Sequence, residues 1–387
     1  MILETTMSNR SVLSRLFRGK GDRPSALQSR LSRLSLQHLG RLRRSLLFLL
    51  GLGLSAAIAS CAGSSTAPEG GAAGDAPSSV EITLVSYAVT QAAYEQIIPQ
   101  FAEKWRVEHG QDVTINQSYG GSGSQTRAVL DGLEADVVAL ALALDTQRIE
   151  EGGLIEPGWE QEAPNDSIVH KSVAVLVTRE DNPKNIQGWA DLSKDDVQVV
   201  TANPKTSGGA RWNFMALWGA ISETGGSDAA ALDYTTQVFK GVPVLPKDAR
   251  EATDVFFAQG QGDVLINYEN EVILAGLQGQ SLPYIVPDVN ISIDNPIAVV
   301  DANVDKHNTR EVSEAFVEFL FTPEAQREFA KVGFRPVNET VVAEFADNFP
   351  VINQLFTVDD LGGWDAVQEK FFDDEAIFDQ IQASIGQ

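Results

Sequence analysis

The chain has 387 residues, 43% of them hydrophobic and 21% charged, and a formal net charge of −24. This composition indicates a globular chain with room for two domains and excludes a disordered one. Residues 1–60 hold ten basic and two acidic residues, which leaves −32 on the rest of the chain. So acidic a surface excludes nucleic acid as a partner and gives an anionic ligand no long-range attraction.

The first 60 residues are predicted to be an export signal. Arg41, Arg43 and Arg44 precede an uncharged, largely apolar run over residues 45–60. This run is shorter than the roughly 20 residues of a membrane-spanning helix. Basic residues, then a short apolar region, then small residues are typical of a signal peptide. An ordinary secretory signal is expected, a twin-arginine signal is the alternative, and a misplaced start codon stays open.

Cys61 is the only cysteine of the chain, and Ile58-Ala59-Ser60-Cys61 resembles the lipobox of bacterial lipoproteins. In that pattern the cysteine carries lipid and becomes the first residue of the mature protein; the alternative is an ordinary small residue near a cleavage site. A single cysteine excludes an intramolecular disulfide and a multi-cysteine metal site. Residues 61–79 are small and polar, so we predict a lipidated, flexible tether.

From residue 80 onward, strand-like and helix-like segments alternate. Apolar, β-rich runs predict strands at residues 80–87, 113–118, 135–142, 173–178, 197–201, 263–267 and 297–300. Apolar residues at helical spacing predict helices at residues 91–108, 124–133, 210–222, 253–259, 309–320 and 323–332. This alternation predicts an α/β fold with mostly parallel sheets.

No motif in the chain indicates catalysis or metal binding. The histidines after the leader, His109, His170 and His307, have no neighbours at metal-ligand or catalytic spacing. Phosphate-loop, nucleophile-elbow and zinc-protease motifs do not occur. We therefore predict a protein that is not an enzyme and that needs no cofactor and no metal.

Three turns that open predicted helices are candidates for anion binding. They span residues 117–125, 203–213 and 247–253. Ser122 and Ser207 add hydroxyls to the first two turns, and Gly208 and Gly209 can present bare N–H groups. The start of a helix directs unpaired N–H groups and partial positive charge at a ligand in front of it. The alternative for each turn is a plain capped helix start.

The same turns resemble those of the sulfate-binding proteins of sulfate and thiosulfate ABC importers. The likeness extends over nearly all of residues 80–385 and is carried by residues 118–123, 131–138, 203–213, 262–266, 269–271 and 361–364. It implies a two-lobed type II periplasmic-binding fold, with a mixed, mostly parallel sheet in each lobe and the ligand in the cleft between them. Lobe 1 is expected over residues 80–164 and 273–387, with the C-terminal helices, and lobe 2 over residues 165–272.

The resemblance also implies a set of ligand-binding residues. In that family sulfate is bound dehydrated, by backbone N–H groups, hydroxyls and an indole N–H. Carried over by position, the expected ligands are Ser122, Ser207, Gly208, Gly209, Ala249 and Tyr268, while Arg211 and Arg250 compensate charge nearby. Two departures bear on selectivity: Tyr268 stands where the family has the indole, and Ala88 and Gln91 stand where it has an aspartate and an arginine.

The sequence therefore predicts the solute-binding protein of an ABC importer that binds sulfate or thiosulfate. Its expected partners are the permease subunits and, through a lipid anchor, the membrane; it is expected to be a periplasmic or cell-envelope monomer. A binding protein for molybdate or phosphate is the near alternative. An exported enzyme acting on an anionic substrate and a regulatory sensor domain are the alternatives from other classes.

Overall fold

The computed structural model describes residues 79–386. The predicted signal, Cys61 and nearly all of the predicted tether lie outside these residues. Within them, no helix is both long enough and apolar enough to cross a membrane.

Eleven strands and thirteen α-helices are present in the described residues. The strands are β1 Ser79–Tyr87, β2 Asp112–Gly120, β3 Val137–Ala139, β4 Ile168–Ser172, β5 Ala174–Thr178, β6 Val199–Val200, β7 Val264–Tyr268, β8 Tyr284–Ile285, β9 Val289–Ile291, β10 Ile293–Val299 and β11 Gln354–Phe356. The helices are α1 Gln91–His109, α2 Ser122–Leu130, α3 Ala143–Glu151, α4 Gly208–Ser222, α5 Asp228–Lys240, α6 Ala249–Phe257, α7 Glu269–Leu277, α8 Asp301–His307, α9 Arg310–Phe319, α10 Pro323–Lys331, α11 Glu339–Glu344, α12 Gly363–Val367 and α13 Ile377–Ile385.

The strands form two main sheets, and each of them mixes parallel and antiparallel pairs. In the five-stranded sheet, β2-β1-β3-β10-β4, β1 runs parallel to β2 and β3, whereas β10 is antiparallel to β3 and β4. In the four-stranded sheet, β6-β7-β5-β8, only β6 and β7 are parallel. The sheets are therefore mixed, and the prediction that they are mostly parallel is corrected. Strands β5 and β10 are antiparallel to their neighbours because the chain reaches them through segments that cross between the sheets and not through βα units.

The chain crosses between the sheets at two neighbouring places. Only Val173 separates β4 of the five-stranded sheet from β5 of the four-stranded sheet, and β9 leads the chain back toward β10. The Asn290 side chain joins the two crossings: its amide donates to the Ala174 carbonyl at 2.7 Å and its oxygen accepts from the Ala174 N–H at 3.1 Å. The predicted lobe boundaries, residues 165 and 272, lie before these crossings.

The C-terminal helices pack beside the four-stranded sheet. Phe378 of α13 contacts Phe214 of α4 and Phe239 of α5, with ring centroids 6.0 and 5.7 Å apart. Trp364 of α12 meets Trp212 edge to face at 4.7 Å. The C-terminal segment therefore supports α4, the helix that the second predicted ligand turn opens.

Candidate functional site

Each of the three predicted turns does open a helix in the structure. The first follows β2 and leads into α2 at Ser122. The second leads into α4, where the Ser207 hydroxyl caps the helix by accepting from the Ala210 N–H at 3.3 Å. The third leads into α6, where the Asp248 carboxylate accepts from the Glu251 N–H at 2.8 Å. These two caps fix the direction in which the remaining N–H groups at the starts of α4 and α6 point, whereas α2, which follows Gly121, has no side-chain cap.

The three turns converge from both sheets. A methyl group placed on Gly121, which follows β2 of the five-stranded sheet, would lie 2.5 Å from the Thr206 carbonyl oxygen and 3.2 Å from that of Lys247. Thr206 and Lys247 belong to the second and third turns, and the Thr206 hydroxyl donates to the Lys247 carbonyl at 2.6 Å. Glycine at position 121 therefore lets the lobes meet at backbone contact distance.

One small cavity lies where the turns meet; its empty space is about 190 Å³ when the part open to solvent is counted. All six predicted ligand residues line it, and no lysine, arginine or histidine is among its described lining residues. The lining residues are Tyr87, Ala88, Val89, Gly120, Gly121, Ser122, Ala141, Ser207, Gly208, Gly209, Asp248, Ala249 and Tyr268.

The Ser122 hydroxyl has partners within its own lobe. It donates to Asp145 Oδ2 at 2.6 Å and accepts from the Ala141 N–H at 3.0 Å. Its proton is therefore directed at a carboxylate and not at the cavity. This turn offers the cavity the backbone N–H groups at the start of α2, and not the hydroxyl donor that the resemblance implies for Ser122.

The two arginines lie behind the turns and do not line the cavity. Arg211 is buried, donates through Nε to the Pro204 carbonyl at 3.0 Å, and has a terminal nitrogen 3.9 Å from Asp145. Arg250 forms a bidentate pair with Glu271, at 2.7 and 3.0 Å. Burial raises the pKa of Glu271, and the nearby Arg250 opposes that shift. Compensation of ligand charge by these arginines stays a prediction.

Tyr268, at the end of β7, lies against the start of α4. It is 1% exposed, and its hydroxyl has no hydrogen-bond partner among residues 79–386. A methyl group on Gly209 would lie 2.6 Å from Tyr268 Cε2 and 3.1 Å from its hydroxyl oxygen. Burial raises the pKa of Tyr268, with further increases from Asp145 and Glu271, so the phenol stays protonated and can donate.

The other two departures from the family differ in position, and several residues of the cavity were not among those predicted. Ala88 lines the cavity, whereas Gln91 is exposed and donates to Glu95 at 2.8 Å. Tyr87 and Ala141 also line the cavity. Each lies at or just beyond the carboxyl end of a strand, β1 or β3, where ligand sites of α/β sheets form, and that position was the available signal.

Two lobes joined by crossing strands, with a small cavity lined by three helix starts, define a type II periplasmic-binding protein. Residues 82–335 match the family model described as bacterial extracellular solute-binding protein. The solved structure of the periplasmic thiamin binding protein shares the fold, with a TM-score of 0.60 at 16% identity over 79% of this chain and 96% of that one.

The chain belongs to the bacterial extracellular solute-binding proteins. It is 58% identical over 329 residues to the sulfate-binding protein of Synechococcus elongatus, covering 85% of this chain and 93% of that protein. It is 42% identical over 306 residues to the sulfate-binding protein of Salmonella typhimurium, covering 78% and 93%. The solved structure of the sulfate-binding protein SubI from Mycobacterium tuberculosis has a TM-score of 0.70 and 39% identity, covering 76% of this chain and 100% of that one. The predicted resemblance is confirmed.

Proposed function

We propose that this protein binds sulfate in the cavity and delivers it to the permease of an ABC importer. The observation that carries the proposal is the convergence of three helix starts, from both lobes, on one small cavity without a basic side chain among its described lining residues. Hydrogen bonds to a charged group contribute roughly 1.5–3 kcal/mol each, so several converging donors can offset the dehydration of a small dianion. The names of the relatives at 58% and 42% identity support sulfate as that anion.

Thiosulfate is the second ligand that a specific observation favours. The chain is 38% identical over 302 residues to the thiosulfate-binding protein of Pseudomonas aeruginosa, and thiosulfate is also a small dianion with a tetrahedral centre. Isothermal titration of the purified protein with sulfate, thiosulfate, molybdate and phosphate tests the order of their affinities. We expect sulfate to bind tightest. Tighter binding of molybdate or phosphate would overturn the proposal, and turnover of sulfate esters would favour an enzyme instead.

Export and anchoring are part of the same proposal. A solute-binding protein acts outside the cytoplasmic membrane, and the basic, apolar and small residues up to position 60 support export. We propose that the mature chain begins at a lipidated Cys61, with residues 61–79 as the tether and the binding domain as a monomer that reaches the permease.

Cys61→Ser should release the protein from membranes or block its processing, because serine cannot form the thioether to lipid. Fractionation of cells that express the wild type and the variant checks this result. Ser60→Ala is a matched control, since it changes the neighbouring residue and keeps the thiol; it should stay in the membrane fraction. Membrane retention of the serine variant at the wild-type level would contradict the lipid anchor.

Tyr268→Phe should weaken sulfate binding. It removes one hydroxyl donor and leaves an anion oxygen with fewer hydrogen bonds, at a cost of roughly 1.5–3 kcal/mol, or about ten- to a hundredfold in affinity. Tyr268→Trp should recover much of the loss, because an indole N–H donates from nearly the same place. Titration calorimetry with sulfate measures both. Wild-type affinity in the phenylalanine variant would make Tyr268 a packing residue.

A further inference from the structure

Tyr87 has the same unusual environment as Tyr268. It ends β1, its side chain is 3% exposed, and it lines the cavity. Its hydroxyl has no hydrogen-bond partner in the described part of the chain. Most buried side-chain polar atoms in folded proteins are paired, and leaving a buried hydroxyl unpaired is destabilising.

The two phenols meet at the cavity from opposite lobes. Tyr87 is carried by the five-stranded sheet, where it pairs with Gly120 in the first ligand turn. Tyr268 is carried by the four-stranded sheet, where it pairs with Ala174 just after the crossing. Their ring centroids are 6.0 Å apart and their planes are tilted by 46°.

The groups around Tyr87 leave it neutral and able to donate. Burial raises the pKa of Tyr87 well above its ordinary value, and Tyr268, Tyr94 and Glu271 raise it further. His170, whose ring centroid lies 6.3 Å from that of Tyr87, is buried, and burial lowers its pKa to about 3. His170 is therefore uncharged near neutral pH, and the Tyr87 phenol stays protonated and free to donate.

We propose that Tyr87 is an anion-binding residue, and that its hydroxyl and that of Tyr268 hold the ligand from the two sides of the cleft. This inference rests on the proposed function, because it assigns one more donor to the same cavity. Since the two phenols belong to different sheets, both can reach one anion only when the lobes are closed. Tyr87 thus links ligand binding to closure, together with the three helix starts.

The test is titration of the full protein with sulfate in the wild type, Tyr87→Phe and a matched control, Tyr94→Phe. Tyr94 is also a buried tyrosine whose hydroxyl has no partner within residues 79–386. It lies in α1 against Phe316 and Phe329 and does not line the cavity. We expect Tyr87→Phe to weaken sulfate binding about tenfold or more, and Tyr94→Phe to change it less than about twofold.

A thermal unfolding series separates binding from packing. Without sulfate, Tyr87→Phe should unfold at the wild-type temperature or above it, since the lost hydroxyl has no protein partner. With saturating sulfate, its rise in unfolding temperature should be smaller than in the wild type. Wild-type affinity for sulfate in Tyr87→Phe, or an equal loss of affinity in Tyr94→Phe, overturns the inference about Tyr87 but leaves the proposed function in place. A wild-type protein that does not bind sulfate overturns the proposed function itself.

Discussion

Gly209→Asp should abolish sulfate binding while the protein still folds. The new Cβ would lie 2.6 Å from the Tyr268 ring, so the ring must shift away from the start of α4. The added carboxylate then lies in the cavity lining, beside the Tyr268 hydroxyl, which is 3.1 Å from the new Cβ. Like charges in a dehydrated site repel strongly, because water cannot screen them. No heat of binding should be measurable with sulfate, and the circular dichroism spectrum should stay native-like.

Gly276→Asp is the matched control for this substitution. Gly276 also lies in a helix, α7, and a Cβ placed there meets no atom within 4 Å. The variant adds the same charge away from the cavity, so it should bind sulfate as the wild type does. Wild-type affinity in Gly209→Asp would remove the second turn from the site, and a comparable loss in Gly276→Asp would assign the effect to net charge.

Gly121→Ala should weaken sulfate binding about a hundredfold or more by keeping the lobes apart. The backbone of Gly121, with φ −63° and ψ 132°, suits alanine, so the lobe that carries it should fold normally. Across the cleft, however, the methyl group would lie 2.5 Å from the Thr206 carbonyl oxygen. The lobes must separate to admit it, and the donors of the second and third turns then move away from an anion bound by the first. The loss of two hydrogen bonds to the anion accounts for the expected hundredfold loss of affinity.

Calorimetry and small-angle scattering together check this second result. Saturating sulfate should compact the wild-type protein, as in other hinge-closing proteins, and should compact Gly121→Ala less. Gly120→Ala is the control for lobe separation from the same turn, because the atoms nearest its methyl group would belong to the Gln125 side chain of the same lobe, at 3.6 Å. Unaltered affinity and compaction in Gly121→Ala would show that the cleft does not close at this contact.

The local features of the chain were predictable from its sequence. The helix expected at residues 91–108 is α1, Gln91–His109, and the apolar residues that predicted it, among them Ile97, Phe101 and Trp105, are buried. The spacing of apolar residues along a helix shows which side chains share a face, and this spacing can be read from a few neighbouring residues. The turn before α4 was predictable for the same reason. Ser207 caps α4 by accepting from the N–H of Ala210, which is only three residues further along the chain.

Other helices were missed although their local signals were present. Ser227 caps α5 by accepting from the Ala230 N–H at 3.2 Å. Helix α13 buries Phe378 and Ile381, which are three residues apart on one face. These signals are as local as those of α1, so the sequence contained them.

Tertiary structure alone decided strand direction and the partners of the site. Strand β10 is antiparallel to β3 because the chain returns from the other sheet, and no local pattern in Ile293–Val299 encodes that return. Asp145, which accepts the hydrogen bond of the Ser122 hydroxyl, lies 23 residues away in sequence, and Tyr87 and Tyr268 come from different sheets. Such contacts depend on how whole elements pack, whereas hydrophobic spacing describes one element at a time. The sequence thus determined that three turns open helices, to within two to four residues of their starts, and which residues cap α4 and α6. Packing of the two lobes decided which of these helix starts line one cavity.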